Sequence, residues 1–146
     1  MMSEVGYRVA LLASIPLLWC GVCLVLSWAS GWWMLSHRYL AKPGDGSGDD
    51  RDSARMRSAR IGAIQYHSSL NFIADSRGLR ISVFFPFRPG HPPLFVPWSE
   101  FDKIRLDNRL FSQRIKMAIG RPAVTRVVFP GWVKFRMPIE YRSRDL

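Results

Sequence analysis

The chain contains only two cysteines, Cys20 and Cys23, and both lie near its start. Because no cysteine follows them, disulfides cannot stabilise the rest of the chain, and cysteine use does not indicate a redox compartment. A Cys-x-x-Cys pair can bind metal or exchange electrons. This pair lies in an apolar run, however, where formation of a thiolate is unfavourable. We therefore assign it no redox or metal role.

Motifs typical of enzymes and metal sites are also missing from the sequence. It has no glycine-rich phosphate loop, no G-x-S-x-G motif and no H-E-x-x-H motif. The three histidines, His37, His67 and His91, lie outside ligand spacing of one another and of the cysteines. A zinc site needs such a cluster. We predict no metal site and no cofactor.

Acidic residues are few in the second half of the chain, and no pair of them indicates acid–base catalysis. Asp75 and Asp107 fall on turn signals. One enzymatic hypothesis remains, in which folding brings His91 and Glu100 together in a concave pocket. We predict instead that the protein is not an enzyme and has no catalytic residues.

The sequence does contain a long uninterrupted apolar run. No Asp, Glu, Lys or Arg occurs between Arg8 and Arg38. A helix over residues 9–35 would be roughly 40 Å long, against ~30 Å for the hydrocarbon core of a bilayer. We predict a transmembrane helix over residues 9–35, preceded by a flank of residues 1–8. The alternative of a cleaved signal peptide needs an apolar segment of only ~7–15 residues and a better cleavage site than the one around Trp28.

Basic residues near the ends of this run predict its orientation. Arg8 is the only basic side chain before the run, whereas Arg38, Lys42, Arg51 and Arg55 follow it. Positive charge favours the cytoplasmic side of a membrane. We therefore predict a single-pass plasma-membrane protein with a cytoplasmic C-terminal domain.

One face of the predicted helix carries small residues at every fourth position: Cys23, Ser27 and Gly31. Small residues at this spacing let two membrane helices approach closely, which makes a homodimer one interpretation of this face. The other interpretation is that small residues are simply common in membrane helices. Both remain open at this point.

The part of the chain after the apolar run divides by composition. Residues 36–58 contain glycines, aspartates and Pro43 with little to bury, which predicts a flexible juxtamembrane linker. Residues 59–137 are rich in short alternating apolar segments, as in Leu79–Phe85, where alternate residues face one side. This predicts an antiparallel β domain, followed by a tail over residues 138–146. Residues 132–137 fit either a last strand or a short helix.

A central segment, Gly78–Phe101, resembles a family of small uncharacterised bacterial membrane proteins. The resemblance lies in a Phe-x-x-Gly-His-Pro-Pro loop followed by an apolar strand and a Pro-Trp-Ser-acid motif, here Phe87, Gly90, His91, Pro92, Pro93, Pro97, Trp98, Ser99 and Glu100. It implies a pleckstrin-homology-like domain behind one N-terminal helix in the inner membrane of a bacterium. It implies no activity.

These observations together predict a fold class: one transmembrane α-helix plus a small, mainly-β domain. The domain would be a curved antiparallel sheet, either a roll or a partial barrel, and a short C-terminal helix would fit residues 132–137. Short, evenly spaced strands separated by turns are typical of such domains.

The net charge of +10 comes mostly from residues after the apolar run. Exposed positions of the predicted strands form a candidate basic surface: Arg80, Lys103, Arg105, Arg114 and Lys116. Such a surface can bind anionic lipid headgroups or an acidic protein partner, or it can be an ordinary solvated face. Arg88 and His91 in the proline-rich loop are further candidate contacts. Nucleic-acid binding is not expected, because no motif for it is present.

The leading functional hypothesis is therefore a membrane-anchored, non-enzymatic module that binds anionic lipid or a protein partner through its basic β domain. The alternative is a structural or assembly subunit of a membrane complex. That subunit would be held by the transmembrane helix and the proline-rich loop.

Overall fold

The computed structural model describes residues 3–47 and 52–142. Parts of the predicted N-terminal flank (1–2), linker (48–51) and C-terminal tail (143–146) lie outside the described residues. Helix α1 spans Glu4–Ser30 and helix α2 spans Trp32–Tyr39. The strands that follow are β1 (Asp52–Ile61), β2 (Ile64–Ala74), β3 (Gly78–Val83), β4 (Leu94–Pro97), β5 (Phe101–Arg109), β6 (Ser112–Ile119) and β7 (Thr125–Pro130). Two short helices, α3 (Trp132–Arg136) and α4 (Ile139–Arg142), end the described chain.

Helix α1 is long and apolar enough to cross a membrane. Its most apolar window has a mean hydropathy of 2.5, and only 6% of that window is buried inside the protein. The Ser3 side chain caps the first turn by accepting a hydrogen bond from the amide of Gly6 at 3.2 Å. Almost the whole helix therefore presents apolar side chains to its surroundings.

The apolar run predicted as one helix is divided at Gly31. This residue adopts a left-handed conformation with φ of 78°, and its amide donates to the Trp28 carbonyl, which ends α1. The predicted helix over residues 9–35 thus corresponds to most of α1 and the first half of α2. A local glycine conformation, not a change in hydropathy, sets the boundary.

Helix α2 packs against the β domain instead of continuing the apolar helix. Trp32, Leu35 and Tyr39 form one stripe and are 0%, 0% and 8% exposed, whereas Trp33 and Met34 are 54% and 60% exposed. The stripe belongs to the same core as the buried residues of the sheet. Residues 36–39, predicted as linker, are therefore helical and include a core residue.

The seven strands form one antiparallel sheet in the order β4-β3-β2-β1-β7-β6-β5, curled into a half-barrel. This confirms the predicted fold class of an apolar helix plus a curved antiparallel sheet. Strand β1 begins at Asp52 and so takes up part of the predicted linker. Its pairing with β2 shifts register around Arg57, with Met56 at a positive φ of 53°. Such irregularities hide the alternation that identifies a strand in sequence.

The alternation in β3 and β4 is largely as predicted. Leu79, Ile81 and Val83 are at most 1% exposed, and Leu94 is fully buried on the neighbouring strand. Phe85, which alternation placed on the same side, is 74% exposed. The reason is that β3 ends at Val83 and the chain turns through a short helix over Phe85–Phe87.

The ambiguous segment near the C-terminus is helical. Val133 in α3 is fully buried, and so is Met137, the residue that follows the helix. Phe135, between them in sequence, is 65% exposed. This spacing of four residues fits a helix with one buried face. A strand would have buried Phe135 together with the other two.

Candidate functional site

The turn after β1 and the first residue of β7 hold the C-terminal end of α1. The Thr125 hydroxyl donates to the Ser30 carbonyl at 3.4 Å, and the Gly62 amide donates to the Arg126 carbonyl at 2.8 Å. Gly62 lies so close to the helix end that a Cβ there would be 2.4 Å from the Ser30 oxygen. We call this region the helix exit: Ser30, the turn at Gly62 and Thr125 at the start of β7. The close contacts couple α1 directly to the sheet.

The proline-rich loop that follows β3 runs back along α1. The Trp19 indole N–H donates to the Pro86 carbonyl, and the Ser27 hydroxyl donates to the Gly90 carbonyl. The rings of Trp19 and Phe87 are in contact, with centroids 5.3 Å apart. Residues separated by more than 60 positions therefore lie side by side along two turns of the helix.

This loop covers the small-residue face of α1. Cys23 and Ser27 are each 1% exposed, and Gly31 forms the helix end beside Thr125. Small side chains on a helix allow close approach of whatever packs there. Here they admit the proline-rich loop of the same chain, which packs on the face that one interpretation of the sequence assigned to a second helix.

A buried polar cluster joins the helix exit, strand β2 and the proline-rich loop. The Tyr66 hydroxyl oxygen lies 2.8 Å from His91 Nε2 and 3.1 Å from the Ser30 hydroxyl oxygen. His91 Nδ1 lies 3.0 Å from the Pro89 carbonyl, which can only accept. Nδ1 therefore carries a proton and donates to Pro89, and in the neutral ring Nε2 can only accept, from the Tyr66 hydroxyl. The Ser30 hydroxyl, the Tyr66 hydroxyl and His91 thus form one buried hydrogen-bonded cluster.

Burial changes the titration of this cluster. His91 is 2% exposed, and its burial lowers the pKa of the imidazole from 6.5, while burial raises the pKa of the Tyr66 phenol. His91 therefore contacts the interior and is not the surface contact that the sequence suggested. Arg88, the other candidate in this loop, is exposed.

The enzymatic hypothesis paired His91 with Glu100, but each bonds to a different residue. Glu100 accepts a hydrogen bond of 2.7 Å from the Tyr39 hydroxyl. Burial and this bond raise the pKa of Tyr39 to about 12. Glu100 thus anchors the end of α2, while His91 anchors the proline-rich loop.

We expect the protein to lose stability in mild acid because of His91. The folded state resists protonation of this ring, whereas the unfolded chain binds a proton below about pH 6.5. The contribution of the neutral His91 ring to the free energy of unfolding is fully present above that pH. It falls as the pH drops towards the lowered folded pKa, by at most ~1.4 kcal/mol per pH unit.

This acid sensitivity can be measured as the melting temperature of the full chain in detergent at pH 7.5 and pH 5.0. His91→Gln should reduce the difference between the two values, whereas His67→Gln, at an exposed position, should leave it unchanged. If the melting temperatures of the wild type and of His91→Gln depended equally on pH, His91 would not be the cause of the acid sensitivity.

Cationic side chains share the outer face of the half of the sheet that ends at β5. Arg105 pairs directly with Lys116, and Lys116 pairs with Val128, which in turn pairs with Arg60. Directly paired residues point to the same face, so these side chains form a row across four strands. Arg126 and Arg114 extend it at alternate positions. We call this set the basic face: Arg60, Arg105, Arg114, Lys116 and Arg126.

Acidic side chains neutralise only part of the positive charge of the basic face. Asp107 lies 3.0 Å from the Lys116 ammonium and 3.8 Å from Arg109, and the hydrogen bond from Lys116 lowers the pKa of Asp107. Arg105 faces Lys116 across the strand pair, and like charges in this position are unfavourable. The row is therefore a concentrated positive surface.

Two residues predicted for the candidate basic surface, Arg80 and Lys103, do not belong to the basic face. Arg80 is on β3, separated from β7 by two strands, and it donates to the Asp45 carbonyl at 2.9 Å under the turn that contains Gly46. Lys103 occupies an irregular position of β5 with a φ of 51°. Arg60 and Arg126 were missed because they are neighbours only through pairing of β1 with β7, which no local pattern indicates.

Comparison with known protein families, curated proteins and solved structures finds no match. Within residues 3–47 and 52–142, no three His, Cys, Asp or Glu side chains are grouped so that they could hold a metal ion.

Proposed function

We propose that the chain is a single-pass anchor of the bacterial inner membrane that holds a basic β domain at anionic lipid headgroups on the cytoplasmic side. One observation carries the proposal: the basic face starts at the helix exit. Arg126 follows Thr125, which bonds to Ser30, and the Arg60 guanidinium donates at 3.3 Å to the carbonyl of Gly62.

The proposed orientation rests on the charges flanking α1. Arg8, near its start, is paired with Glu4 at 3.6 Å, whereas Arg38 and Lys42 follow α1 on the side of the β domain. Positive charge is retained on the cytoplasmic side of membranes. The β domain would then face the leaflet that carries most of the negative surface potential.

The close coupling between α1 and the domain supports a fixed position at the membrane. A domain on a flexible linker would sample many orientations, but here Ser30 contacts the turn at Gly62 and the start of β7 at Thr125 directly. Cations within about a Debye length of ~10 Å from an anionic leaflet each gain ~1 kcal/mol. Arg60 and Arg126, next to the helix exit, are the two best placed for this gain.

The assembly hypothesis has less support from the geometry. It relied on the small-residue face of α1 and on the proline-rich loop as two surfaces for other chains. These two surfaces are packed against each other through Ser27 and Gly90. An acidic protein partner for the basic face is an outcome that the experiment below can reveal.

Selective retention of anionic lipid tests the proposal. The full chain is purified in detergent micelles with equal amounts of phosphatidylglycerol and phosphatidylcholine, and native mass spectrometry counts the lipids that stay bound. We expect preference for phosphatidylglycerol, reduced about tenfold or more by Arg60→Gln with Arg126→Gln, because each of these two charges next to the helix exit contributes ~1 kcal/mol.

The matched control removes two charges outside the basic face, by Lys103→Gln with Lys134→Gln, and should keep the preference. Equal retention of both lipids by the wild type would reject lipid binding by this face. If the control variant lost its preference for phosphatidylglycerol to the same extent, the net charge of the protein, and not the basic face, would account for lipid binding. Co-purification of an acidic protein that Arg60→Gln with Arg126→Gln releases would favour a protein partner instead.

A further inference from the structure

The turn between β3 and β4 carries a cluster of exposed apolar side chains. Phe84 and Phe85 are 42% and 74% exposed, and Pro86 between them and the half-buried Phe87 is exposed as well. Trp19, at 42% exposure, extends the cluster onto α1. Contiguous apolar surface of this kind on a protein marks a site of contact with an apolar partner.

The bond to Trp19 fixes the depth of this turn relative to α1. A membrane-spanning helix needs ~20 apolar residues, so a span that begins at Val9, directly after the charged Arg8, ends at Trp28. Trp19 then lies nine residues, or ~13 Å along the axis, inside the boundary nearer the β domain. The carbonyl of Pro86 is at the same level, because Trp19 donates to it.

We propose that the segment Phe84–Arg88 enters the inner leaflet beside α1 and contacts lipid acyl chains. The proposal rests on the proposed function, since it requires α1 to cross the membrane. It adds a second element to the membrane contact, which would fix the rotation of the β domain about the axis of α1. The partner is lipid, because the turn is continuous with the exposed apolar surface of α1.

The backbone of the segment is suited to an apolar environment. Inside a bilayer, polar backbone groups must bond within the protein. The Phe84 carbonyl accepts from the Phe87 amide at 3.0 Å, and the Phe85 carbonyl accepts from the Arg88 amide at 3.2 Å. The Pro86 carbonyl accepts from Trp19, and Pro86 has no N–H to satisfy. Three successive carbonyls of an exposed turn are thus bonded without water.

Arg88 is consistent with a position at the headgroups. It closes the segment, its side chain is exposed, and its guanidinium Nε lies 3.5 Å from the Val83 carbonyl, where the turn joins the sheet. Long basic side chains at a membrane boundary extend towards the phosphates while their aliphatic part stays in the apolar layer. The segment is apolar up to Arg88, and this order matches the change from acyl chains to headgroups across a leaflet.

Nitroxide labels on the full chain in lipid vesicles test this placement. Cys20 and Cys23 are replaced by Ala, and single cysteines are introduced by Phe85→Cys, Leu17→Cys or Ser76→Cys. Power-saturation spectroscopy then gives the accessibility of each label to oxygen, which partitions into lipid, and to a water-soluble nickel complex. Phe84→Cys provides a second label in the turn, so that the result does not depend on one variant.

We expect the label at residue 85 to resemble the one at residue 17, with high oxygen and low nickel accessibility. Ser76, exposed in the turn between β2 and β3, should give the opposite result. High nickel accessibility at both 84 and 85 would overturn the proposal, and low accessibility to both reagents would indicate protein contact and also overturn it. A nickel-accessible label at residue 17 would instead reject membrane crossing by α1, and with it the proposed function.

Discussion

Trp32→Ala is expected to lower the free energy of unfolding of the β domain by about 3–5 kcal/mol, the usual range for truncation of a buried Trp. Trp32 is fully buried, its indole N–H donates to the Pro92 carbonyl at 2.9 Å, and its ring contacts the His91 ring at 5.2 Å between centroids. The substitution removes the contact that holds α2 and the proline-rich loop in the core. It should also expose the polar cluster around Tyr66 to water.

The neighbouring residue provides a matched control. Trp33 has the same side chain in the same helix but is 54% exposed, so Trp33→Ala should change stability by less than about 1 kcal/mol. Thermal melting of the full chain in mild detergent, followed by near-ultraviolet circular dichroism, measures both variants. For a domain of this size, the Trp32 variant should melt at least ~12 °C lower. Equal shifts for the two variants would contradict the packing of α2 in the sheet.

Gly62→Ala is expected to separate the β domain from the end of α1. Gly62 has a φ of 58°, a left-handed conformation that costs an L-residue ~1–2 kcal/mol. The added Cβ would also meet the Ser30 carbonyl carbon and oxygen at 2.9 and 2.4 Å, and these are backbone atoms that cannot rotate away. The turn must therefore move off the helix exit, at a total cost of more than about 2 kcal/mol.

Limited proteolysis in detergent measures this separation, because cleavage near Gly31 requires the helix exit to open. We expect cleavage of the Gly62→Ala variant at least tenfold faster than that of the wild type. Gly21→Ala is the matched control: a Cβ at Gly21 meets nothing within 4 Å, and alanine favours a helix by ~0.5–1 kcal/mol. Unchanged cleavage of the Gly62 variant would show that the coupling between α1 and the sheet is loose.

Local patterns in the sequence predicted the elements that depend on neighbouring residues. The charge-free run predicted an apolar helix, and the alternation of Leu79, Ile81 and Val83 predicted the buried side of β3. Asp75 was predicted as a turn residue, and its carboxylate accepts from the amides of Arg77 and Gly78 at 2.8 and 3.0 Å. These predictions succeeded because periodicity and turn chemistry act within a few residues of the chain.

The candidate sites were predicted less well, because they depend on which strands and loops become neighbours. Arg80 and Arg105 are both exposed positions of amphipathic strands in sequence, yet β2, β1, β7 and β6 separate their strands in the sheet. His91, predicted as a loop contact, is a buried hydrogen-bonding partner of Tyr66. Exposure on a predicted strand or loop does not indicate what the rest of the chain places over it.

The sequence by itself determined that an apolar helix precedes a basic antiparallel β domain, because hydropathy, charge and alternation are properties of the chain alone. Only the tertiary structure decided which apolar surfaces are covered: Trp32 and the face around Ser27 are buried by the chain itself, while Phe85 and most of α1 are not. The physical reason is that a side chain has the same tendency to leave water whether it meets lipid or protein. Its partner is set by the long-range packing of the helix exit and the proline-rich loop.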